Sequence, residues 1–218
     1  MASVAQLPPR GRYLADEAGL LAGVSGHTIG QWARRGYIRS SVSTGRPRVY
    51  SFQDLAEAIV VHELLERGVA HADVLRAVRA LRDTYGDWPL THAPLATVTS
   101  AGRSQVYLRE GEQTYDVGGR QPWQQVLDPQ NLEELRRLLR TGGWAARNLV
   151  PQLQHIEVDP DRLSGRPTIR GRRIAAEDVA EMAATMDMDD LLEDYDLTVA
   201  EVKDARRWWR EARRLAAA

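Results

Sequence analysis

The chain has 218 residues, room for one large domain or two small ones, and its 43% hydrophobic content is enough for a packed core. It has no Cys, which excludes disulfides, thiolate metal sites and a Cys nucleophile together. No apolar run approaches the ~18 residues of a membrane span, and the N-terminus lacks the apolar core of a signal peptide. We therefore expect a cytoplasmic protein without membrane contact.

The net charge of −1 hides an asymmetry between the two ends of the chain. Residues 1–50 carry seven Arg against Asp16 and Glu17, a net charge of +5, whereas residues 151–218 carry a net charge of −4. Such an asymmetry indicates that the two ends have different partners.

Residues 13–54 have the pattern of a small DNA-reading head, preceded by a predicted flexible arm at 1–12. A short amphipathic helix ends at Gly23-Val24, a second helix begins after Ser25, and an Arg-rich hairpin with a Gly-Arg-Pro-Arg tip follows. This order is typical of a protein that places a helix in a DNA groove and holds phosphates beside it.

The second helix is predicted to turn Ile29, Trp32 and Ala33 inward. The residues predicted to bind DNA, all outward-facing or at the helix start and hairpin tip, are Ser25, Gly26, His27, Gln31, Arg34, Arg35, Arg46 and Arg48. Phosphate contacts would position the protein, and base contacts would specify the sequence. The alternative interpretation is a small helical subdomain whose Arg side chains are only solvated.

The middle of the chain changes from helical to β-like patterning. Apolar periodicity predicts helices at 52–67 and 71–85, so that residues 13–88 form a head with two following helices. Three β-like runs between 94 and 128 predict a small antiparallel meander. A further amphipathic helix is predicted at 129–141, within a region 89–142, and a linker at 143–152.

The last part, 153–218, begins with an extended stretch and continues with three predicted helices. Their ranges are 176–185, 188–195 and 198–215, and Thr198 with Glu201 forms a capping box. The predicted fold class is therefore mainly α with a small antiparallel β part: an N-terminal winged helix-turn-helix, a central meander and a C-terminal three-helix, helix-turn-helix-like domain. The five His are scattered without ligand spacing, so we predict no catalytic residues, no metal site and no cofactor.

Residues 13–82 resemble the MerR-type winged helix-turn-helix. The matching residues are Tyr13, Glu17, Ala18, Gly23, Val24, Ser25, Thr28, Ile29, Trp32, Gly36, Tyr37, Ile38, Gly45, Arg46, Arg48, Tyr50, Ser51, Asp54 and Leu55. The resemblance implies that the second helix enters the major groove of operator DNA and that the wing Arg hold the backbone. The family often has Arg where this chain has Gly30, and the helix at 71–85 is too short for the family's long dimerising coiled coil. A homodimer is still expected, because palindromic half-sites need two heads.

Residues 155–210 resemble the small domain of unknown function (family 433) found in antitoxins of prokaryotic toxin–antitoxin pairs. The matching residues are Ile156, Asp159, Pro160, Gly165, Arg166, Pro167, Ile169, Gly171, Arg173, Ile174, Leu191, Leu192, Tyr195, Leu197, Thr198, Val202 and Ala205. The resemblance implies a VapB-type antitoxin. Its partner would be a PIN-like ribonuclease toxin, whose carboxylates bind a divalent metal.

The last helix is predicted to bind that toxin. Its candidate residues are Arg206, Arg207, Trp209, Arg210, Arg213 and Arg214, since Trp and Arg are frequent at interface hot spots and Arg pairs with carboxylates in a forked geometry. The alternative is that Trp208 or Trp209 packs in the core and the Arg are solvated. Residues 186–196, with six acidic residues in eleven, would repel phosphate and make this domain a poor DNA reader.

Three binding functions remain open, and catalysis is not expected. The first is an antitoxin that neutralises a toxin and represses its own operon. The second is a MerR-like regulator that senses a small ligand; a buried cavity lined by Tyr107, Tyr115 and Trp123 would support this function. The third is a protein-interaction adaptor with a vestigial head.

Overall fold

The computed structural model describes residues 9–100, 103–126, 133–134, 153–159 and 161–216. These residues form a mainly helical protein with a small antiparallel sheet and an N-terminal helix-turn-helix, so the predicted fold class is confirmed. No helix in the described ranges is long and apolar enough to cross a membrane.

The head begins with helices α1 (Ala15–Ala22) and α2 (Gly26–Arg35), which end and begin as predicted. Gly23 ends α1 in the left-handed conformation, with φ 74°, where glycine meets no steric penalty. Within α1, Gly19 lies so close to the turn that a Cβ there would come within 2.6 Å of the Val24 carbonyl oxygen. This close approach sets the angle at which α2 leaves α1.

The wing, residues 39–50, leads into helices α3 (Phe52–Glu66) and α4 (His71–Tyr85), both predicted from their periodicity. A bridge between Ser43 and Val49 closes the wing, and another between Tyr13 and Tyr50 ties its base to the start of the head. The predicted capping pair at the start of α3 is present, with the Asp54 N–H donating to Ser51 Oγ at 3.1 Å.

A short helix, α5 (Pro89–His92), follows α4 where the sequence predicted only an end to helix. Proline fits the first helical turn because an N–H at that position would have no partner within the helix, so its absence costs nothing. The predicted meander follows, with strands β1 (Leu95–Ser100), β2 (Arg103–Glu110), β3 (Gln113–Asp116) and β4 (Gln124–Val126). The sheet order is β4-β3-β2-β1-β5, where β5 is Glu133–Glu134, and β2 packs on α4.

One prediction for the segment after the meander needs correction. The helix predicted at 129–141 is wrong at Glu133–Glu134, which pair with Ala96 and Thr97 of β1. An open strand edge needs hydrogen-bond partners, a demand that local periodicity does not reveal. The other residues of 129–141 and the linker predicted at 143–152 lie outside the described residues.

Residues 9–12, predicted as part of a flexible arm, make defined contacts with the rest of the chain. Arg10 forms an ion pair with Asp161, and its carbonyl oxygen accepts a hydrogen bond from the Phe52 N–H at 2.7 Å. The Arg12 N–H donates to the Ser164 carbonyl oxygen at 2.9 Å. The start of the chain therefore joins the head to the C-terminal part; residues 1–8 lie outside the described ranges.

The C-terminal part, called the tail below (residues 153–216), is a hairpin of β6 (Ile156–Val158) and β7 (Pro167–Ile169) followed by helices α6 (Ala176–Thr185), α7 (Met188–Asp194) and α8 (Val199–Ala216). The three predicted helices are confirmed to within one residue at each end. The predicted capping box is present, with the Thr198 N–H donating to Glu201 at 2.7 Å and the Glu201 N–H donating to Thr198 Oγ1 at 3.3 Å.

Head and tail share one apolar core. The link is Tyr13, the first residue of the head, which is 2% exposed and donates its hydroxyl hydrogen to the Gly165 carbonyl oxygen at 2.9 Å. A Cβ on Gly165 would overlap the Tyr13 hydroxyl, so only glycine fits at this point of the tail. Because α1 also packs on α8, the tail holds the head in a defined orientation.

Candidate nucleic-acid interface

Helix α2 has the two faces that the sequence predicted. Ile29 and Trp32 are buried against the head core, while His27, Arg34 and Arg35 are exposed. His27 and Gln31 lie one turn apart, with their Nε2 atoms 3.0 Å from each other. The exposed side of α2 therefore presents hydrogen-bonding groups and cations that can meet base edges and phosphates.

The start of α2 differs from the prediction in one respect. Ser25 caps the helix as expected, accepting a hydrogen bond from the Thr28 N–H at 3.2 Å. Gly26 does not face open solvent, because a Cβ there would overlap the carboxylate of Asp16 in α1. Both residues fix the position of the helix start, where backbone N–H groups and the helix dipole favour an anion.

The second glycine of α2 is open, apart from one side chain. The nearest atom to a Cβ built on Gly30 is Arg34 Nη1, at 3.5 Å. The Arg34 side chain therefore lies beside Gly30. One cation is thus present at the position where the MerR family often has an Arg of its own.

The wing carries its two predicted cations at different depths. Arg46 is exposed at the tip, and Arg48 is half-buried near the buried Tyr50. Burial raises the pKa of Tyr50, and the Arg48 and Arg34 cations act in the opposite direction. Charges from the wing and from the end of α2 therefore act on the same hydroxyl, so Arg48 and Arg34 both lie near Tyr50.

Asp54 anchors the base of the wing, a role that its capping pattern did not reveal. Its buried carboxylate accepts hydrogen bonds from the Ser41 N–H at 2.7 Å, the Ser41 hydroxyl at 2.6 Å and the Ser51 N–H at 2.9 Å. The Trp88 indole N–H donates to its other oxygen at 2.9 Å. The wing is thereby fixed to α3 and to the segment before α5. Partners 13 and 34 residues away leave no local signal in the sequence.

Two family matches cover separate parts of the chain. Residues 13–81 match the MerR HTH family regulatory protein model, and residues 156–208 match the model of a protein of unknown function, DUF433. The chain carries a MerR-family helix-turn-helix domain and a DUF433 domain. The first of these points to a DNA-binding regulator rather than an enzyme.

A solved structure has a similar fold. The X-ray crystal structure of Rv2018 from Mycobacterium tuberculosis is similar over 92% of this chain and 98% of its own, with 18% sequence identity and a TM-score of 0.55. At this identity the likeness concerns the fold alone. No curated protein matches the chain.

Helix α8, which begins within the DUF433 match and extends beyond its end at residue 208, carries the residues predicted to bind a toxin. Arg206, Arg207, Arg210, Arg213 and Arg214 are exposed, and Lys203 joins them on the same side. We call these six residues the basic stripe; their spacing of three and four places them on one helix face. Trp208 is buried in the core, as the alternative interpretation had it for one of the two tryptophans, and Trp209 is partly buried beside it, with ring centroids 5.9 Å apart.

The aromatic residues of the meander do not line one cavity. Tyr107 pairs with Asp116 and Leu108 pairs with Tyr115 across β2 and β3, so Tyr107 and Tyr115 project to opposite faces of the sheet. Tyr115 instead makes an edge contact with Trp123, with ring centroids 6.4 Å apart. The arrangement that would have supported a ligand sensor in the meander is therefore not formed. Within the described residues no cluster of His, Asp or Glu could hold a metal ion.

Proposed function

We propose that the protein represses transcription as an operator-binding homodimer and acts as the antitoxin of a PIN-like ribonuclease toxin. The observation that carries the first part is that Arg34 of α2 and Arg48 of the wing both lie near Tyr50, in a head whose wing is tied down by Asp54. The MerR-family domain supports DNA-binding regulation. The antitoxin role is inferred from the DUF433 domain and from the cations of α8.

For DNA, the proposal places α2 in the major groove and the wing on the sugar–phosphate backbone. Ser25, Gly26, His27, Gln31, Arg34 and Arg35 would serve the groove, and Arg46 and Arg48 the backbone. A dimer would place two heads on successive half-sites about one helical turn apart. The Asp54 network supports this role, because a wing that holds phosphates must be fixed to its domain.

The wing assignment is tested with Arg46→Ala plus Arg48→Ala in the full chain. Each lost phosphate contact should reduce the slope of log K against log salt by about 0.9, so the double variant should lose up to about 2. The matched control is Arg79→Ala plus Arg120→Ala, which removes two exposed cations that lie outside α2 and the wing. Equal slopes for the double variant and the wild type would refute the assignment.

For the toxin, the proposal uses Arg206, Arg207, Trp209, Arg210, Arg213 and Arg214. Arg is suited to this role because its guanidinium pairs with carboxylates in a forked geometry, and a PIN-like active site is rich in carboxylates. Inserted Arg side chains would compete there with metal and RNA.

The antitoxin role is tested by co-expressing the chain with the product of the neighbouring reading frame, followed by a ribonuclease assay of that product alone and in complex. A stable complex and a silenced nuclease would support the proposal. The absence of a complex, with DNA binding retained, would refute the antitoxin role and favour a ligand-sensing regulator.

A further inference from the structure

A cleft lies between the MerR-type head and the DUF433 domain. It has a volume of about 230 Å³ and mostly apolar walls. Helix α1 contributes Leu20 and Leu21, and the tail contributes Pro167, Trp209 and Ala212. A cavity of about 150 Å³ accepts a benzene ring, so this cleft can take one bulky apolar side chain.

The cleft is continuous with the basic stripe of α8, because Arg213 belongs to both. Of the six cations of the stripe, only Arg214 is paired within the described residues, with Glu211 at 2.9 Å. The other side chains, Lys203, Arg206, Arg207, Arg210 and Arg213, make no ion pair or hydrogen bond in that part of the chain. Several uncompensated cations on one helix face call for an anionic partner.

The neighbourhood of the stripe favours a protein over a nucleic acid. Asp16, Glu17 and Glu177 line the cleft together with Arg166 and Arg213, so its lining has a net charge of −1 and does not favour a phosphate backbone that followed the stripe into it. Glu17 accepts a hydrogen bond from the Leu14 N–H, and Glu177 pairs with Arg166. Because both carboxylates already have partners, an apolar protein side chain can enter beside them. An apolar cleft next to an aromatic and Arg-rich surface is also the usual anatomy of a protein-binding hot spot.

We infer that the protein partner inserts an apolar side chain into this cleft while its acidic surface lies along the basic stripe. Helix α1 of the DNA-binding head is then one wall of the partner site, so the site is built from both domains and not from the DUF433 domain alone. The inference rests on the proposed antitoxin function and takes the neighbouring-frame product as the partner.

The test measures the affinity of full-length variants for the purified neighbouring-frame product by isothermal titration calorimetry. Leu20→Trp fills the cleft from the head side, and Trp209→Ala removes a wall from the tail side. Arg206→Glu plus Arg210→Glu reverses two charges of the stripe. Arg79→Glu plus Arg120→Glu is the matched charge control, and Tyr195→Ala truncates an exposed aromatic residue that does not line the cleft. DNA binding and the thermal midpoint of each variant report folding.

The expected result is a loss of tenfold or more for Leu20→Trp, for Trp209→Ala and for the stripe variant, with both controls at wild-type affinity and DNA binding retained. Loss with the stripe variant alone would overturn the composite site and leave the antitoxin proposal standing. No wild-type complex at all would overturn both. A stripe variant that binds the partner normally but binds random-sequence duplex DNA with a reduced salt slope would show the stripe to be a DNA surface, which also overturns the inference.

Discussion

Replacing Glu57 with Gln should change the pH dependence of stability more than any other single charge deletion in the head. Glu57 lies on α3, is 1% exposed, and accepts a hydrogen bond from the Thr91 N–H at 2.9 Å. Burial raises its pKa from 4.5 to about 8, against the lowering effects of the Thr91 and Leu90 N–H groups and the Arg82 cation. The folded protein therefore carries this carboxyl group neutral at pH 7.

The sign of the effect follows from proton binding in the two states. Below pH 4.5 the group is protonated in both states, and the stability that depends on its neutral form is fully present. Between pH 4.5 and 8 the unfolded chain releases the proton and the folded chain keeps it, so stability falls as pH rises. At about 1.4 kcal/mol per pH unit, the whole interval corresponds to about 5 kcal/mol of unfolding free energy.

The assay is urea unfolding followed by Trp fluorescence at intervals from pH 4.5 to 9, with wild type, Glu57→Gln and Glu66→Gln. The Gln variant cannot ionise, so its stability relative to wild type should rise by several kcal/mol between pH 5 and 8.5. Glu66→Gln, an exposed position on the same helix, should stay parallel to wild type. A difference between Glu57→Gln and wild type that does not vary with pH would refute the reasoning.

Three further substitutions test the contacts that position the head and the wing, and the proposed DNA surface of α2. Gly165→Ala should lower the free energy of unfolding by about 2–4 kcal/mol, because the new Cβ overlaps Tyr13 and the backbone φ is +91°. In a Tyr13→Phe background, thermal unfolding should show a smaller loss of stability. An equal loss in both backgrounds would rule out the overlap as its source. Asp54→Asn should lower stability by about 1–3 kcal/mol and weaken DNA binding by loosening the wing, with an unchanged salt slope; a reduced slope would mean that Asp54 alters phosphate contacts themselves. Gly30→Arg should strengthen DNA binding and steepen the salt slope by about 1, which titrations of operator DNA at several salt concentrations would show; unaltered binding would place Gly30 away from the duplex.

Most helices of this protein could be predicted from short stretches of sequence, because they carry their own start and stop signals. Ser25, Thr198 and the glycines after α1 and α2 act on neighbouring N–H and carbonyl groups, so their effects appear in the order of residues. The inner face of α2 follows from a period of 3.6, and the meander follows from alternation between turn signals. The two faces of α2 were therefore predictable, apart from Gly26, while the DNA-binding role of the exposed residues stays a prediction.

The remaining features depend on residues far apart in the chain. Gly26 looks like an exposed glycine until α1 places Asp16 against it, and Asp54 looks like a helix cap until Ser41 and Trp88 converge on it. The strand at Glu133–Glu134 forms because β1 has an open edge, which overrides the helical pattern of that segment. Likewise, the packing of Tyr13 on Gly165 and of α1 on α8 brings the two domains together and creates the cleft beside α8. The sequence by itself determined the helices of the head and of the tail and the charge of each surface, because those depend on near neighbours. The tertiary structure alone decided which surfaces meet, because burial and long-range hydrogen bonds have no local pattern.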